Sequence, residues 1–169
     1  MSSDVEVDLV ILGAGCAGLS LAARLADAGT TLRVMAIEAR ADYVDDRSWC
    51  FWRPDAHPLS RLVSATWRSW TFSGADGRTA TRSVPGMSYQ YVRGSDFYDD
   101  AMARIAASPN VTVHMATVVD QLEAVTGGVR LTTPSGAVTA RWVVDTRPVR
   151  RPSMLYQCFA GAEVQSDAP

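Results

Sequence analysis

Residues 7–28, reading VDLVIL, GAGCAG and LSLAARLADA, constrain this chain more than any other stretch. The first six form a short apolar, β-branched run, the pattern of a strand buried on both faces. Glycines at 13, 15 and 18 follow. Residues 19–28 are then rich in Ala and Leu, both strong helix formers, and Gly29 is a natural C-terminal stop. A second apolar run, residues 32–37, ends at Glu38. Strand, glycine turn, helix and strand make a βαβ unit, whose crossover is right-handed and whose strands are parallel.

Each glycine has a separate physical task. Gly13 permits the tight turn, Gly15 lets backbone approach a pyrophosphate, and Gly18 lets the helix pack closely on the strand. The loop Gly13, Ala14, Gly15, Cys16, Ala17, Gly18 then presents helix N-terminal N–H groups to phosphate oxygens. Glu38 lies about 20 residues past the last glycine, where a carboxylate accepts hydrogen bonds from a ribose 2′-hydroxyl and repels a 2′-phosphate. The ligand implied is ADP-ribose in type, as in FAD or NAD and not NADP. The alternative is a glycine turn with no ligand. Cys16 reads either as a reactive thiol at a helix N-terminus, where its pKa falls, or as a small loop-filling residue like Ala14 and Ala17.

The chain departs from a plain NAD domain after Glu38. Residues 39–95 are rich in Arg, Asp, Ser and Trp and have poor helical periodicity. Short strands are expected at 65–73 and 79–84, with GADG (74–77) as the turn. Ser95 reads as an N-cap and residues 96–107 as an amphipathic helix, buried through Phe97, Met102, Ile105 and Ala106. Strands follow at 111–115 and 118–122. Alternation in Val129, Leu131, Thr133 and in Val138, Ala140, Trp142 predicts an antiparallel pair around Pro134–Gly136. Residues 143–145 read as a strand entering the parallel sheet, 146–153 as a turn, and 155–164 as one more strand.

Composition narrows the chemistry. With 169 residues, 47% of them hydrophobic, and a net charge of -2, the chain is an ordinary globular domain with no electrostatic drive toward nucleic acid. All 16 basic residues are arginine, so P-loop, Schiff-base and lysine general-base chemistry are excluded. Cys16, Cys50 and Cys158 are isolated and, with only two histidines, build no zinc spacing; no metal site is expected, and a reduced, cytoplasmic setting fits. The acidic N-terminus is unlike a signal peptide, and no apolar run is long enough to span a bilayer.

A βαβ start followed by a long irregular stretch, a helix and a meander returning through VVD resembles the FAD-binding domain of glutathione-reductase-type flavoproteins, in their hydroxylase-like branch. The resemblance implies a Rossmann-like α/β fold with a parallel sheet and a β-meander. It places Arg93 of YVRGSDFYDD near the FAD phosphates or ribityl chain, Val118 with its backbone at the adenine, and Asp145 of WVVDTRP near the pyrophosphate.

The intervening segments DDRSWCFW (45–52), YQYVRGSDFYDDAM (89–102), VVDTRP (143–148) and LYQCFAGAEV (155–164) together resemble bacterial lycopene cyclases. That family is FAD-dependent, reduced through NAD(P)H, and forms β-ionone rings on a linear carotenoid such as lycopene without net redox change. The resemblance implies a peripheral membrane contact, because the substrate dissolves in the bilayer. It covers the chain but only the N-terminal half or less of a family member. It therefore implies an FAD-binding fragment over 1–169, with 45–95 and 155–169 contributing to an incomplete substrate domain. The segment with the family's acid–base carboxylates has no counterpart, so no catalytic acid is assigned. Trp49, Phe51, Trp52 and Tyr89 read either as walls for a cationic polyene or as core. Arg47 reads either as a flavin-phosphate contact or as a partner of Asp45 or Asp46. A cluster of Arg147, Arg150 and Arg151 faces lipid headgroups or sits in an exposed turn. Two other functions stay open: an FAD monooxygenase or oxidoreductase of the same fold, and a non-catalytic nucleotide-binding module.

Overall fold

The protein is described from a computed structural model over residues 5–45 and 47–148. Strand β1 (Val5–Leu12), helix α1 (Cys16–Asp27) and strand β2 (Val34–Ile37) form the expected βαβ unit. Gly29, at φ +63°, ends α1 in the left-handed conformation that its lack of Cβ permits. Four strands of two small antiparallel sheets come next: β3 (Ser48–Pro54), β4 (Val63–Trp67), β5 (Ser69–Ser73) and β6 (Thr79–Ser83). Then come β7 (Met87–Arg93), α2 (Gly94–Ala106), β8 (Val111–His114), β9 (Gln121–Val125), β10 (Gly128–Thr133) and β11 (Gly136–Asp145).

The main sheet has the order β8-β2-β1-β11-β10-β9. Strands β8, β2, β1 and β11 are parallel, and β10 and β9 add an antiparallel meander. The last four residues of β1 and all of β2 are buried, as the unbroken apolar runs require. On one face Leu9, Ile11, Val34 and Val111 pack against Leu19 and Ala22 of α1 and Phe97, Ala101 and Ile105 of α2. On the other face Val10, Leu12, Met35 and Ile37 pack with Leu131, Val138 and Ala140. The hairpin tip at Thr133 and Ser135 borders one cavity with Met35, Ile37 and His114, so the meander curls over the face opposite the helices.

The connection β1–α1–β2 leaves β1 on one side and β11 arrives on the other. Strand order therefore reverses at β1, and a crevice opens beyond the carboxyl ends of these strands, the place where open α/β sheets bind ligands.

Several expectations are corrected. The strand expected over 65–73 is broken at Arg68: β4 pairs with β7, while β5 pairs with β6 around GADG. The strand expected at 118–122 starts at Gln121, because the preceding loop follows the backbone of residues 38–40 instead, with Thr117 N–H on the Glu38 carbonyl and Ala116 N–H on the Arg40 carbonyl. Residue Arg93, not Ser95, is the N-cap of α2; Ser95 lies in its first turn, and Ala106 is exposed while Tyr98 takes the buried position. The antiparallel strand and the strand entering the parallel sheet are one strand, β11. The strand expected at 155–164, Cys158 and the pair Arg150, Arg151 lie outside the described residues.

The three-stranded sheet β3-β7-β4 buries a polar relay. Leu59 N–H donates to His57 Nδ1, so Nε2 carries the proton and donates to Gln90 Oε1 at 2.5 Å. Gln90 Nε2 donates to Ser88 Oγ (3.0 Å), which donates to Asp55. Gln90 and Ser88 are fully buried, so this chain ties the 55–62 segment to β7. Replacing Gln90 by Ala strands His57 and Ser88 and should cost about 2 kcal/mol. Urea unfolding measures that loss, and proteolysis should accelerate first within residues 55–62.

Candidate functional site

The three carboxyl ends meet at Leu12, Ile37 and Asp145. Gly13 N–H donates to the Ile37 carbonyl, and Thr146 N–H to the Leu12 carbonyl, both at 2.8 Å. Gly13 has φ +84°, which a side chain would strain. A Cβ on Gly18 would run into the Gly13 carbonyl, so α1 sits on the turn only because Gly18 has none. Gly15 differs: its φ is -76° and a Cβ there would meet nothing within 4 Å. That face of the loop opens into a cleft. Gly15 caps α1 without a side-chain hydrogen bond and no acidic residue lies in the first turn, so the N–H groups of the first turn face the cleft and suit an anion.

The cleft encloses about 410 Å3 and is bounded by Gly13, Gly15, Cys16, Glu38, Arg40, Arg47 and Trp49, with Tyr98 and residues 146–148 across from them. A neighbouring cavity of about 160 Å3 shares Gly13, Glu38 and Arg147 and is closed by Ala39, Thr117 and Val118. The loop and helix start border the larger space, Glu38 borders both, and Thr117 and Val118 close the smaller one.

Glu38 is buried and already multiply bonded. Its Oε2 accepts from Ala14 N–H (2.9 Å) and Arg40 Nη2 (3.3 Å), and its Oε1 from Arg40 N–H (3.1 Å) and Nε (3.2 Å). Burial alone would raise its pKa, but these hydrogen bonds outweigh burial and hold the carboxyl below its usual 4.5. The Arg40 guanidinium lies 5.0 Å from the ring centre of Tyr43 and 5.6 Å from that of Tyr98, and the two rings stack at 4.2 Å. The Tyr43 hydroxyl donates to the Ala14 carbonyl at 2.7 Å. Sequence reasoning missed Arg40, Tyr43 and Tyr98. The only local signal was the place of Arg40 and Tyr43 in EARADYV, which opens with Glu38, and of Tyr98 near the start of α2.

The structure brings some of the other expected residues to the cleft and not others. Arg47 and Trp49 line it. Val118 lines the smaller space. Ala14 is buried in the loop, held at both its N–H and its carbonyl. Cys16 lines the cleft, and partial burial shifts its thiol pKa upward against the opposing hydrogen bond with Ser20 and the charge of Arg53. Arg93 does not line the cleft; its guanidinium is held by Asp45 at 2.6 Å. Asp145 stands one residue behind, gripping Arg147 through Nε (2.9 Å) and Nη2 (2.7 Å) and presenting that arginine to both spaces. Thr146 Oγ1 donates to the Leu12 and Gly13 carbonyls. The four aromatics are divided by strand alternation. Trp49 and Phe51 face the helix side, Trp49 against Phe97 and Tyr98 and Phe51 against His57. Trp52 faces the other way and stacks on Tyr89 at 4.7 Å. They do not line one cavity.

Two substitutions separate folding from binding. Gly15→Ala should leave the thermal midpoint within a degree or two and abolish nucleotide retention, because its Cβ enters only the cleft. Gly18→Ala should fail to fold, since it drives α1 off the turn. Circular dichroism and dialysis against labelled ADP-ribose distinguish them.

Glu38 makes a pH prediction. Its folded pKa lies below its unfolded value, so its contribution is complete above about pH 4.5 and is lost as pH falls through the folded pKa. Glu38→Gln should cost about 2 kcal/mol at pH 7 and flatten the acid limb of a melting-temperature profile.

Comparison with known proteins places this geometry. The p-nitrophenol 4-monooxygenase PnpA of Pseudomonas putida DLL-E4 shares the fold at TM-score 0.71 and 18% identity, over 87% of this chain and 42% of its own. The OxyS anhydrotetracycline hydroxylase of Streptomyces rimosus matches at 0.63 and 22% identity, over 83% and 31%. A probable FAD-dependent monooxygenase of Pseudomonas aeruginosa, pqsL, matches at 0.62 and 14%, over 82% and 41%. The chain thus spans less than half the length of these solved proteins. A search of curated proteins finds no match. The fold is the Rossmann-like α/β domain of flavoproteins, and residues 8–169 match the lycopene cyclase protein family over almost the whole chain, so the chain belongs to that family.

Proposed function

We propose that this chain is the nucleotide-binding part of an FAD-dependent lycopene cyclase. One observation carries the reading: a family match from residue 8 to residue 169 falls on a chain whose glycine loop opens a dinucleotide-sized cleft at Gly15. In this reading the loop 13–18 and the start of α1 hold the pyrophosphate. Glu38 and Arg40 meet the adenosine ribose, and Val118 borders the adenine. Arg47 and the Asp145-oriented Arg147 face the phosphates, while Arg93 acts through Asp45 on the loop that carries Arg47. FAD, kept reduced by NAD(P)H, would supply negative charge beside a carbocation in a dry site.

The substrate would be lycopene or a related linear carotenoid. A proton adds to a terminal double bond, the cation closes on the neighbouring alkene, and a proton is lost, so no net oxidation occurs. Trp49 is the aromatic placed to face a cation near the cleft. The chain would work in the cytoplasm at a membrane surface, because its substrate resides in the bilayer. Among the described residues no helix is long and apolar enough to cross a membrane.

Equilibrium dialysis should show submillimolar retention of FAD and of ADP-ribose by this chain. Expression of the complete gene in lycopene-accumulating cells should yield cyclic carotenes. Unchanged lycopene beside a folded, flavin-loaded protein would sink the cyclase assignment. The likeness to monooxygenases supports a second reading, an FAD hydroxylase, which NAD(P)H oxidation coupled to a hydroxylated product would select.

A further inference from the structure

The far end of α1 carries a second polar pocket that the flavin reading does not use. Four arginines from four separate elements converge there. Arg24 lies in the last turn of α1, Arg53 on β3, Arg61 in the short 3-10 turn Ser60–Leu62, and Arg104 in the last turn of α2. They line a cavity of about 160 Å3 whose apolar part is Pro58, Leu59 and Phe97. At about 30 Å3 per water this is room for a small polyatomic anion.

Two carboxylates are engaged by these arginines: Asp27, which lines the pocket, and Asp100, which does not line it but accepts from Arg61 and Arg104. Asp27 accepts from Arg104 Nε (3.1 Å) and Nη2 (2.5 Å). Asp100 accepts from Arg104 Nη1 (3.3 Å) and from Arg61 Nε (3.2 Å) and Nη2 (2.5 Å). Arg61 also donates to the Pro58 carbonyl. This lattice fixes Arg61 and Arg104 and couples α1 to α2. It leaves Arg24 and Arg53 with no ion pair to a carboxylate among the described residues. Arg53 is instead held over the Phe51 ring at 5.3 Å. Four guanidinium charges against two carboxylates leave an excess of two positive charges in one concave, partly apolar space. Such a space focuses its field on a counter-ion.

We propose that this pocket binds a phosphate dianion. Two charges match two charges, and guanidinium forks from Arg24 and Arg53 suit tetrahedral oxygens better than a spherical halide. The pocket begins at Ser20, one turn along α1 from Cys16, and extends to Arg24 and Asp27; it adjoins the cleft but shares no lining residue with it. The ligand is a phosphate group, either free or carried on a nucleotide as a phosphomonoester.

Titration of the 169-residue chain with inorganic phosphate at constant ionic strength tests this, read by isothermal calorimetry and by arginine side-chain NMR. Saturable binding is expected, with shifts at Arg24, Arg53 and Arg61. The double variant Arg24→Gln, Arg53→Gln should weaken it about tenfold or more while keeping the thermal midpoint, because neither residue braces a carboxylate. Arg82→Gln, on the distant β5–β6 hairpin, should change nothing. Equal responses to chloride and phosphate, or equal affinity in the double variant, would overturn the proposal. A second arm uses Gly15→Ala, which removes the cleft's contribution, and compares ADP-ribose with its 2′-phosphate. Tighter binding of the 2′-phosphate that is lost in the Arg24→Gln, Arg53→Gln variant identifies a phosphorylated nucleotide. Equal binding of the two, with inorganic phosphate still retained, identifies the free anion.

Discussion

Both backbone groups of one residue, Ala14, are fixed by side chains from a different part of the chain. Its N–H is taken by the Glu38 carboxylate and its carbonyl by the Tyr43 hydroxyl. Everything at the cleft depends on this clamp. A turn containing Gly13 and Gly15 has little conformational preference of its own. The clamp selects one shape, and Gly18 and Thr146 lock it from the helix side and from β11. Arg40 then keeps Glu38 charged, and Tyr43 and Tyr98 hold Arg40 flat. Residues 38–43, directly after β2, thus both hold and line the loop that precedes them by more than twenty positions.

This arrangement changes what Glu38 means. The spacing of the motif assigns it to a ribose hydroxyl. In the folded chain its oxygens already receive four N–H donors, three of them from Arg40. A carboxylate so engaged serves first as a brace. The pair Glu38–Arg40 presents a mixed, nearly neutral surface to the cleft in place of a bare negative charge.

The βαβ unit, the helix 94–106 and the hairpin at 134–135 were legible because each rests on local chemistry: periodicity, helix formers and turn residues. The glycines of the loop were legible because each has a steric task. Arg40, Tyr43 and Tyr98 were not, since their contact spans 58 residues and depends on α2 docking beside the loop. Arg93 was assigned to the ligand from its place in a motif, but Asp45, itself in the loop before β3, takes it. The aromatic group was misjudged as a unit because proximity in sequence crosses a strand: Trp49 and Trp52 are three residues apart and on opposite faces. Within 39–95 the hairpin around GADG was legible, but the three-stranded sheet β3-β7-β4 was not, because β3 and β4 are half exposed and lack an unbroken apolar run.

Strand β11 belongs to two ladders at once. It pairs with β10 from Thr133↔Gly136 outward and with β1 as far as Leu12↔Asp145, and it delivers Thr146 and Arg147 directly to the glycine turn. It therefore acts as a ruler between the hairpin tip and the cleft at the glycine loop. Adding or deleting one residue within β11 would flip its side chains to the opposite face and withdraw Thr146 from Gly13. The spacing between a distant surface turn and the glycine loop in this way shapes the cleft, which β11 reaches only through Asp145 and its hold on Arg147.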